Sequence, residues 1–380
     1  MRTSFSNGQV LVDGELRSGL TVMIEDGVIQ YVGPEPCIGE LVDLKGGILA
    51  PGFIDTQVNG GGNVLFNDAP TVDTIERIGQ AHRRFGTTGF LPTLISDDMP
   101  VIQEAITAVQ SAIARAVPGV LGIHIEGPFL NVERRGIHLA SKIQTLDADV
   151  IDALTRLEGG RTLITLAPEK TSPDLIRALV RRGAIVAAGH TDATYEEGST
   201  AIQAGVTGAT HLFNAMSPLG NREPGMVGAV LDSDAVTAGI IVDGRHVSPA
   251  TLRIAMRARS YEAFMLVTDA MPSVGGADEF WLQGKRIRVE DGVCVDEQGT
   301  LAGSDLDMVG AVRNAIDLLH LPLPAALAMA SSVPARFLGL KRHGSIGIGN
   351  AASLVWLSDA LEVKGVWIDG ICRASSPSQA

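Results

Sequence analysis

The central part of the chain alternates between short apolar runs and longer amphipathic segments. We count eight apolar runs, which cover residues 47–57, 88–94, 120–127, 162–168, 184–190, 206–212, 237–244 and 263–270. Segments between them, such as TVDTIERIGQAHRRFG and MPVIQEAITAVQSAIARA, have the spacing of amphipathic helices. Apolar strands that alternate with helices are typical of parallel β-structure covered on both faces. Eight repeats predict an α/β protein built on a closed (β/α)8 TIM-type barrel, with an open doubly wound sheet as the alternative.

The two ends of the chain have a different pattern. Short stretches of alternating apolar and polar positions are separated there by glycine and aspartate turns. Neither end is long enough to form a stable sheet alone. We therefore predict a small β-sandwich domain built from residues 1–49 and 342–380, with a barrel domain of residues 50–341 inserted between them. A hairpin excursion is predicted at about residues 278–300, after the eighth apolar run.

Composition and charge narrow the class of protein. Hydrophobic residues make up 45% of the 380 residues and charged residues 19%, which excludes a disordered chain. The net charge of -13 disfavours nucleic-acid and membrane partners. The three cysteines, Cys37, Cys294 and Cys372, form no CxxC pair, and the first residues lack the apolar core of a signal peptide. We expect a cytoplasmic protein with reduced thiols.

Polar side chains gather where the apolar runs end. In a barrel, all these positions face one rim, which is where active sites form. Seven of them stand at the ends of runs, and an eighth, His246, lies a few residues past the seventh run. The seven are Asp55, Gln57, Asn59, Glu126, His190, His211 and Asp269.

Three of these residues predict a metal site. Glu126, His190 and His211 provide one carboxylate and two imidazoles, a ligand set that suits zinc or iron and leaves a position open for water. A lone histidine at a strand end is more often a hydrogen-bonded structural residue, but the three side chains together favour the metal. His124 lies two residues before Glu126 and points to the same side of the strand, so we expect it deeper in the barrel in a supporting role.

Asp269 and one loop complete the predicted site. A buried aspartate beside a metal can act as the base that takes a proton from water and returns it to the leaving group. The alternative is a structural cap at the strand end. The loop HLFNAMSPLGNREPGMVGA contains one basic residue, Arg222, whose guanidinium suits a phosphate. The alternative for Arg222 is a surface ion pair with Glu223.

Several longer motifs occur together in the chain. They are HIEGPFLN, GIH at residues 136–138, GHTDATYEE, THLFNAMSPLGNREPGMVGA, DGRHVSP, VTDA and LAGS. This set resembles the N-acetylglucosamine-6-phosphate deacetylases of the amidohydrolase superfamily. The resemblance extends from PGFID near residue 51 to VPARFLGL near residue 340. It implies hydrolysis of the acetamide of N-acetyl-D-glucosamine 6-phosphate to D-glucosamine 6-phosphate and acetate, in amino-sugar catabolism.

The resemblance also implies roles for individual residues. It implies a zinc-type metal on Glu126, His190 and His211, with Asp269 as the acid and base, and we expect His138 to stabilise the developing oxyanion. It further implies a homodimer in which Arg222 reaches the site of the neighbouring subunit. The implied substrate contacts are Ile137, His138, Asn214, Ala215, Arg222, His246, Leu301, Ala302, Gly303 and Ser304.

One departure from the wider superfamily bears on the metal content. Many relatives have HxH after the first strand, which supplies two ligands to a second metal, whereas this chain has Gln57-Val58-Asn59. Amide oxygens bind transition metals more weakly than imidazole does, so we predict one tightly held divalent metal per subunit. Zinc is our expectation, although Fe2+, Mn2+ and Co2+ accept the same ligands. Whether a second, weakly held metal binds near Gln57 and Asn59 is left open.

Three alternative functions are compatible with parts of the sequence. One is a related amidohydrolase that acts on a cyclic amide or on another N-acyl amino sugar. Another is a non-catalytic sugar-phosphate binder on the same scaffold. A purely structural barrel is the third, and it does not explain why the polar residues gather at one set of strand ends.

Overall fold

The computed structural model describes residues 2–35 and 38–375, and its centre is an eight-stranded parallel sheet. The sheet strands, labelled β1 to β8 in chain order, are each hydrogen-bonded to the next. They are Phe53–Val58, Thr87–Ile95, Gly122–Glu126, Arg161–Leu166, Ile185–Ala188, Val206–Ala209, Thr237–Ile240 and Phe264–Leu266. All residues of β2 and β3 are buried, as expected for strands covered on both faces.

The sheet curls into a cylinder whose closing seam lies just after β8. There the backbone N–H of Asp269 donates to the carbonyl of Gln57 at 3.0 Å. A parallel bridge between Val58 and Ala270 continues the same seam. The predicted fold class, a TIM-type barrel with a small sandwich from both termini, is therefore confirmed, and the open doubly wound sheet is excluded.

Ten α-helices pack around the barrel in the described part of the chain. Several begin with side-chain caps; the helix Tyr195–Ala204, for example, has Thr194 and Glu197 as a capping box. The helices α1 to α10 are Val72–Arg83, Met99–Ala114, Ile151–Leu154, Pro173–Arg181, Tyr195–Ala204, Gly225–Leu231, Pro249–Ala258, Met308–Leu319, Leu323–Ala330 and Ser332–Phe337. None of the helices in the described ranges is long and apolar enough to cross a bilayer.

Strands from both ends of the chain form two further sheets. Phe5, Leu49, Leu354 and Trp367 are buried together between them. One sheet contains, in spatial order, Val28–Gly33, Thr21–Glu25, Arg2–Ser6 and Glu40–Asp43. The other contains Ile371–Ser375, Val363–Ile368, Leu354–Leu357, Ile48–Pro51, Gln9–Val12 and Glu15–Ser18. The division of the chain at residues 49 and 342 stays a prediction.

A four-stranded antiparallel sheet follows β8. Its last strand returns to the barrel, where Ser304 forms a parallel bridge with Ala270. The strands are Glu279–Leu282, Lys285–Glu290, Val293–Val295 and Leu301–Ser304. Two short strands, Gly60–Gly61 and Val64–Leu65, form a small hairpin after β1.

Two of the three cysteines lie in the described ranges. Cys294 is a buried free thiol, and Cys372 is an exposed free thiol. Cys37, which was included in the prediction of reduced thiols, lies outside the described residues.

Candidate active site

A cavity of about 370 Å³ opens at the carboxyl ends of the barrel strands. This volume lies in the range of small-molecule sites. Most of the residues predicted for the site line it. They are Glu126, Ile137, His138, His190, His211, Asn214, Ala215, His246, Asp269, Leu301 and Gly303. The wall is completed by Asn59, Ile95, Glu133, Arg134, Gly136, Met271, Leu282 and Thr300.

The three predicted metal ligands meet at one point of this cavity. Glu126 Oε1 lies 3.2 Å from His190 Nε2 and 3.1 Å from His211 Nε2. The two ring nitrogens are 3.1 Å apart. Ligand atoms around a tetrahedral zinc ion with bonds of about 2.0–2.1 Å are about 3.3 Å from each other. All three side chains are almost fully buried, so the cluster fits a small divalent cation.

Hydrogen bonding fixes which nitrogen of His190 faces the cluster. His190 Nδ1 lies 2.9 Å from the backbone carbonyl of Arg134. A carbonyl oxygen only accepts, so Nδ1 carries a proton, and in the neutral ring Nε2 has a free lone pair. That lone pair points at the electron-rich Glu126 Oε1 and lies beside His211 Nε2. A cation bound among these atoms removes the unfavourable contact between their lone pairs. A metal-binding histidine usually has this arrangement, in which one ring N–H donates to a carbonyl and the other nitrogen faces the metal.

His138 has the opposite tautomer. It belongs with Glu126 and His190 to a group whose potential ligand atoms lie within 4.8 Å of one another. However, the backbone N–H of Ser96 donates to His138 Nδ1 at 3.2 Å, and the Ser96 hydroxyl, which can donate to the same atom, lies 2.7 Å from it. The proton of the neutral ring therefore sits on Nε2, which makes this atom a donor and not a ligand. Burial, together with the neighbouring His190 ring, lowers the pKa of His138 to about 3, so the ring is neutral near pH 7.

Two amide side chains hold Asp269. Asn59 Nδ2 donates to Asp269 Oδ1 at 2.6 Å, and Gln57 Nε2 donates to the same oxygen at 3.1 Å. Gln57 Nε2 also lies 3.1 Å from Glu126 Oε1. Within the described part of the chain, Asp269 Oδ2 has no hydrogen-bond partner, so it is left to face the cavity. Burial, with the negative charge of Glu126, raises the pKa of Asp269 to about 6.

Three of the four residues in this centre have a left-handed backbone. The φ angles of His190, His211 and Asp269 are 49°, 31° and 54°. Each follows a short barrel strand, and a positive φ at a non-glycine residue is costly. This turn of the backbone directs the side chain inward over the mouth of the barrel. Such strain concentrates at functional sites, where surrounding contacts hold it in place.

A ring of hydrogen bonds supports the His190 loop. Glu169, which follows β4, accepts from Asn131 Nδ2 at 2.8 Å and from the backbone N–H of Asp192 at 2.7 Å. Its other carboxylate oxygen accepts from Thr191 Oγ1. The backbone N–H of Asn131 donates to the His190 carbonyl at 2.9 Å. The loops after β3, β4 and β5 are thereby joined around His190.

His124 lies below the cluster. Its Nε2 is 2.8 Å from Thr165 Oγ1, and Thr165 Oγ1 is 2.6 Å from Thr210 Oγ1. Burial lowers the pKa of His124 to about 4, which keeps the ring neutral near pH 7. It packs as a hydrogen-bonded residue of the barrel interior.

Three of the residues predicted to contact substrate do not line the cavity. Arg222 is exposed on a turn, and Ala302 and Ser304 are fully buried. Ser304 Oγ donates to the carbonyl of Thr268, and the Ser304 N–H donates to the carbonyl of Asp269 at 2.9 Å. Ser304 therefore holds the Asp269 loop, while Leu301 and Gly303 of the same strand face the cavity.

The turn that carries Arg222 is held by its neighbour. Glu223 Oε1 accepts the backbone N–H groups of Tyr195 and Gly225 at 2.7 and 2.9 Å. The carboxylate of Glu223 is thus occupied by the backbone, and the structure contains no ion pair between it and Arg222 among the residues it describes. The guanidinium of Arg222 is left exposed outside the cavity of its own chain.

Sequence reasoning missed several residues of the site. Ser96 and Glu169 stand at the ends of β2 and β4, so the strand-end rule that found the other residues could have found them. Arg134 acts through its backbone carbonyl, which no side-chain pattern reveals. Met271, Leu282 and Thr300 are brought to the cavity by the loop after β8 and the antiparallel sheet.

Comparison with known proteins gives a consistent result. The sequence profile of the Amidohydrolase family matches residues 48–372. An N-acetylgalactosamine-6-phosphate deacetylase from Shewanella sp. is 44% identical over 373 residues, which are 95% of this chain and 93% of the relative. The crystal structure of N-acetylglucosamine-6-phosphate deacetylase from Pasteurella multocida is 34% identical with a TM-score of 0.95, and covers 99% of this chain and 100% of that one.

A third similar protein was solved with a sugar phosphate. It is a mutant of the N-acetyl-D-glucosamine-6-phosphate deacetylase from Mycobacterium smegmatis in complex with N-acetyl-D-glucosamine-6-phosphate. It is 32% identical, has a TM-score of 0.90, and covers 99% of each chain. The resemblance identified from the motifs, and with it the prediction of a hydrolase of this group, is confirmed. The chain belongs to the amidohydrolase family and, within it, to the deacetylases of N-acetylated amino-sugar 6-phosphates.

Proposed function

We propose that the protein hydrolyses the acetamide of N-acetyl-D-glucosamine 6-phosphate to D-glucosamine 6-phosphate and acetate, as a cytoplasmic enzyme of amino-sugar catabolism. The observation that carries the proposal is the meeting of four groups in one cavity. These are the Glu126–His190–His211 cluster, the N–H donor of His138, the open oxygen of Asp269 and the mixed polar and apolar wall around them. A purely structural barrel has no need for this arrangement.

We propose that Glu126, His190 and His211 hold one divalent cation, zinc in our expectation. When bound, such an ion acts as a Lewis acid, polarising the amide carbonyl and lowering the pKa of a water molecule. Gln57 and Asn59 offer N–H groups to carboxylates, and in this orientation they are hydrogen-bond donors. This supports a single tightly held ion, because the Gln57 amide meets Glu126 through its nitrogen and not through its oxygen.

Asp269 serves as the acid and base. Its Oδ1 is held by Gln57 and Asn59, so Oδ2 accepts a proton from the attacking water. The water oxygen forms a bond to the acetamide carbon, and the carbonyl oxygen gains negative charge. His138 Nε2–H donates to this oxygen. Asp269 then returns its proton to the amine as the C–N bond breaks, and acetate and the amino sugar leave.

The sugar is positioned by residues around this centre. Ile137, Asn214, Ala215, His246 and the stretch 301–304 are proposed to contact it, the last through Leu301 and Gly303. Contacts remote from the reacting amide position it against Asp269 and contribute to catalysis.

The phosphate is proposed to be bound across a homodimer. Arg222 is exposed outside its own cavity, on a turn that Glu223 holds rigidly, which supports a role in the site of a neighbouring subunit. A guanidinium gives a phosphate two parallel donors. A local ion pair of this kind explains how a protein with a net charge of -13 can bind a negatively charged phosphate group.

The test combines metal analysis with acetate release. Purified protein should contain about one divalent ion per chain and release acetate from N-acetylglucosamine 6-phosphate. A chelator should abolish the release, and the ion should restore it. Protein that contains the metal but releases no acetate from any N-acetyl sugar phosphate contradicts the proposal and favours the non-catalytic binder.

One observation favours a second substrate. The Shewanella relative, which is named for N-acetylgalactosamine 6-phosphate, is 44% identical, whereas the bovine and human relatives named for N-acetylglucosamine 6-phosphate are 39% identical. The two substrates differ only in the configuration at C4. Both sugar phosphates and their unphosphorylated forms should therefore be compared by kcat/KM, and the larger value names the substrate.

A further inference from the structure

A buried aspartate lies behind the one cavity histidine that has no role in the metal centre or as an oxyanion donor. His246 follows β7, and its Nδ1 lies 2.5 Å from Asp243 Oδ2. The side chains are only 5% and 4% exposed. Asp243 Oδ1 accepts the backbone N–H groups of Arg245 and His246, both at 2.8 Å. The motif DGRH thus forms one compact unit.

This unit fixes the orientation of the ring. A carboxylate accepts and does not donate, so the proton shared with Asp243 belongs to His246 Nδ1. Nε2 is then the ring atom left for the cavity that His246 lines. Hydrogen bonds from the histidine, with those of the backbone, outweigh burial and lower the pKa of Asp243. The aspartate is therefore a fixed negative charge behind the ring.

The other cationic side chains of the cavity wall are occupied, as far as the described residues extend. The guanidinium of Arg134 donates hydrogen bonds from both Nε and Nη2 to Asp192. His190 and His211 face Glu126, and His138 is a neutral donor beside them. His246, with Nδ1 on Asp243, is a side chain of this chain's cavity wall whose Nε2 is left to meet a ligand.

We propose that Asp243 is a positioning residue, which holds His246 so that a protonated Nε2 donates to a negatively charged oxygen of the substrate, namely its phosphate. A carboxylate on Nδ1–H stabilises the imidazolium and sets its direction. A charge-assisted hydrogen bond to a phosphate oxygen is stronger than one between neutral groups. The proposal rests on the proposed function, since it concerns how that substrate is held.

The test is the nearly isosteric variant Asp243→Asn. Its amide retains an oxygen for the backbone N–H groups but removes the charge behind the ring. We expect KM for the phosphorylated sugar to rise about tenfold while kcat changes less than about twofold, a split that marks lost ground-state binding. The kcat/KM for the unphosphorylated sugar should change little. Asp291→Asn is the matched control, because Asp291 pairs with the exposed Arg245 of the same loop.

A double-mutant cycle with His246→Gln separates positioning from general damage. If Asp243 acts through His246, adding Asp243→Asn to His246→Gln produces no further rise in KM. Additive effects would overturn the proposal, as would equal losses on phosphorylated and unphosphorylated sugars. If Asp243→Asn does not fold, His246→Gln alone must still raise KM selectively for the phosphorylated sugar, and an unchanged preference overturns the proposal.

Binding of the product gives a readout that does not depend on turnover. Calorimetry with glucosamine 6-phosphate should show weaker binding to Asp243→Asn than to wild type, and unchanged binding to Asp291→Asn. NMR of 15N-histidine-labelled protein should show a strongly hydrogen-bonded His246 ring proton that Asp243→Asn loses. A wild type that binds the product but releases no acetate contradicts the proposed function alone, whereas unchanged product binding in Asp243→Asn contradicts the positioning role.

Discussion

His138 and His190 face the same cavity with opposite ring chemistry. His190 gives its Nδ1 proton to the carbonyl of Arg134, whereas His138 receives the N–H of Ser96 on Nδ1. Their ring centroids are only 4.5 Å apart. The groups that meet Nδ1 of each ring therefore support different proposed roles, His190 as a metal ligand and His138 as a hydrogen-bond donor.

This contrast predicts different losses for two substitutions. His190→Gln should lower the metal content, because it removes a ligand lone pair. His138→Gln should retain the metal and lower kcat by about 10²–10³-fold, the usual effect of losing an oxyanion donor. Metal analysis by mass spectrometry and acetate release check both. Loss of metal from His138→Gln would show that this residue is a ligand.

Asp269→Asn should remove the proton acceptor and preserve the metal site. The ligand cluster does not include Asp269, and an asparagine occupies nearly the same volume. Turnover should fall by about 10²–10⁴-fold, as for other general acid–base residues. Single-turnover acetate release, measured beside metal content, checks this result. A variant with near-normal turnover would exclude the acid–base role.

Asn59→Leu should separate activity from stability. Asn59 Oδ1 is buried without a hydrogen-bond partner in the structure's described residues, so an apolar side chain of similar size costs the fold little. The variant loses the donor that holds Asp269 Oδ1. We expect the free energy of unfolding to fall by no more than about 1 kcal/mol and kcat to fall at least about tenfold. An unchanged kcat would mean that the hydrogen bond from Gln57 is enough to hold Asp269 in place.

Asp55 predicts a pH dependence of stability. It is fully buried beneath the site, where it accepts from Thr268, and burial raises its pKa to about 7. The unfolded value is about 3.9. Because the folded pKa is the higher one, the stabilisation from the bound proton is present below about pH 4 and is lost as the pH rises toward 7.

Asp55→Asn should therefore gain stability relative to wild type as the pH rises through this window. Urea unfolding midpoints of the two proteins, compared from about pH 4.5 to about pH 8, check the prediction. All other groups titrate in both proteins, so their contributions cancel in the difference between the two midpoints. A difference in midpoint that stays constant across the range would show that Asp55 is ionised throughout.

Mixing two inactive variants tests whether Arg222 acts across a dimer. Arg222→Ala should lose activity mainly on the phosphorylated sugar, and Asp269→Asn should lose it on both. If Arg222 serves the neighbouring subunit, half of the sites in a mixed dimer are intact. An equal mixture, after subunit exchange, should then regain about a quarter of wild-type activity. No recovery would place Arg222 in the site of its own chain or outside any site.

The strand-end rule accounts for what the sequence could predict. Apolar runs located the barrel strands, and the polar residues at their ends, such as Glu126 and Asp269, do converge. Ring tautomers were beyond reach, since they depend on backbone groups of Ser96 and Arg134 that are distant in sequence.

The sequence also could not show which side chains of the strand Leu301–Ser304 face the cavity. Strand alternation puts Leu301 and Gly303 on the cavity side and buries Ser304 against the barrel. The pattern LAGS alone does not say which phase of the alternation faces the site. The contact of Asp243 with His246 was not predicted, because it depends on a loop that brings the two side chains together.

The seam between Gln57 and Asp269 links catalysis to the completion of the barrel. The backbone hydrogen bond that joins the first strand to the end of the eighth also fixes Asp269, the residue proposed as acid and base. Its amide holders, Gln57 and Asn59, come from the opposite side of that junction. In the proposed mechanism, a chain that has assembled only its first seven strands therefore lacks its acid–base group, and hydrolysis requires the last strand to dock.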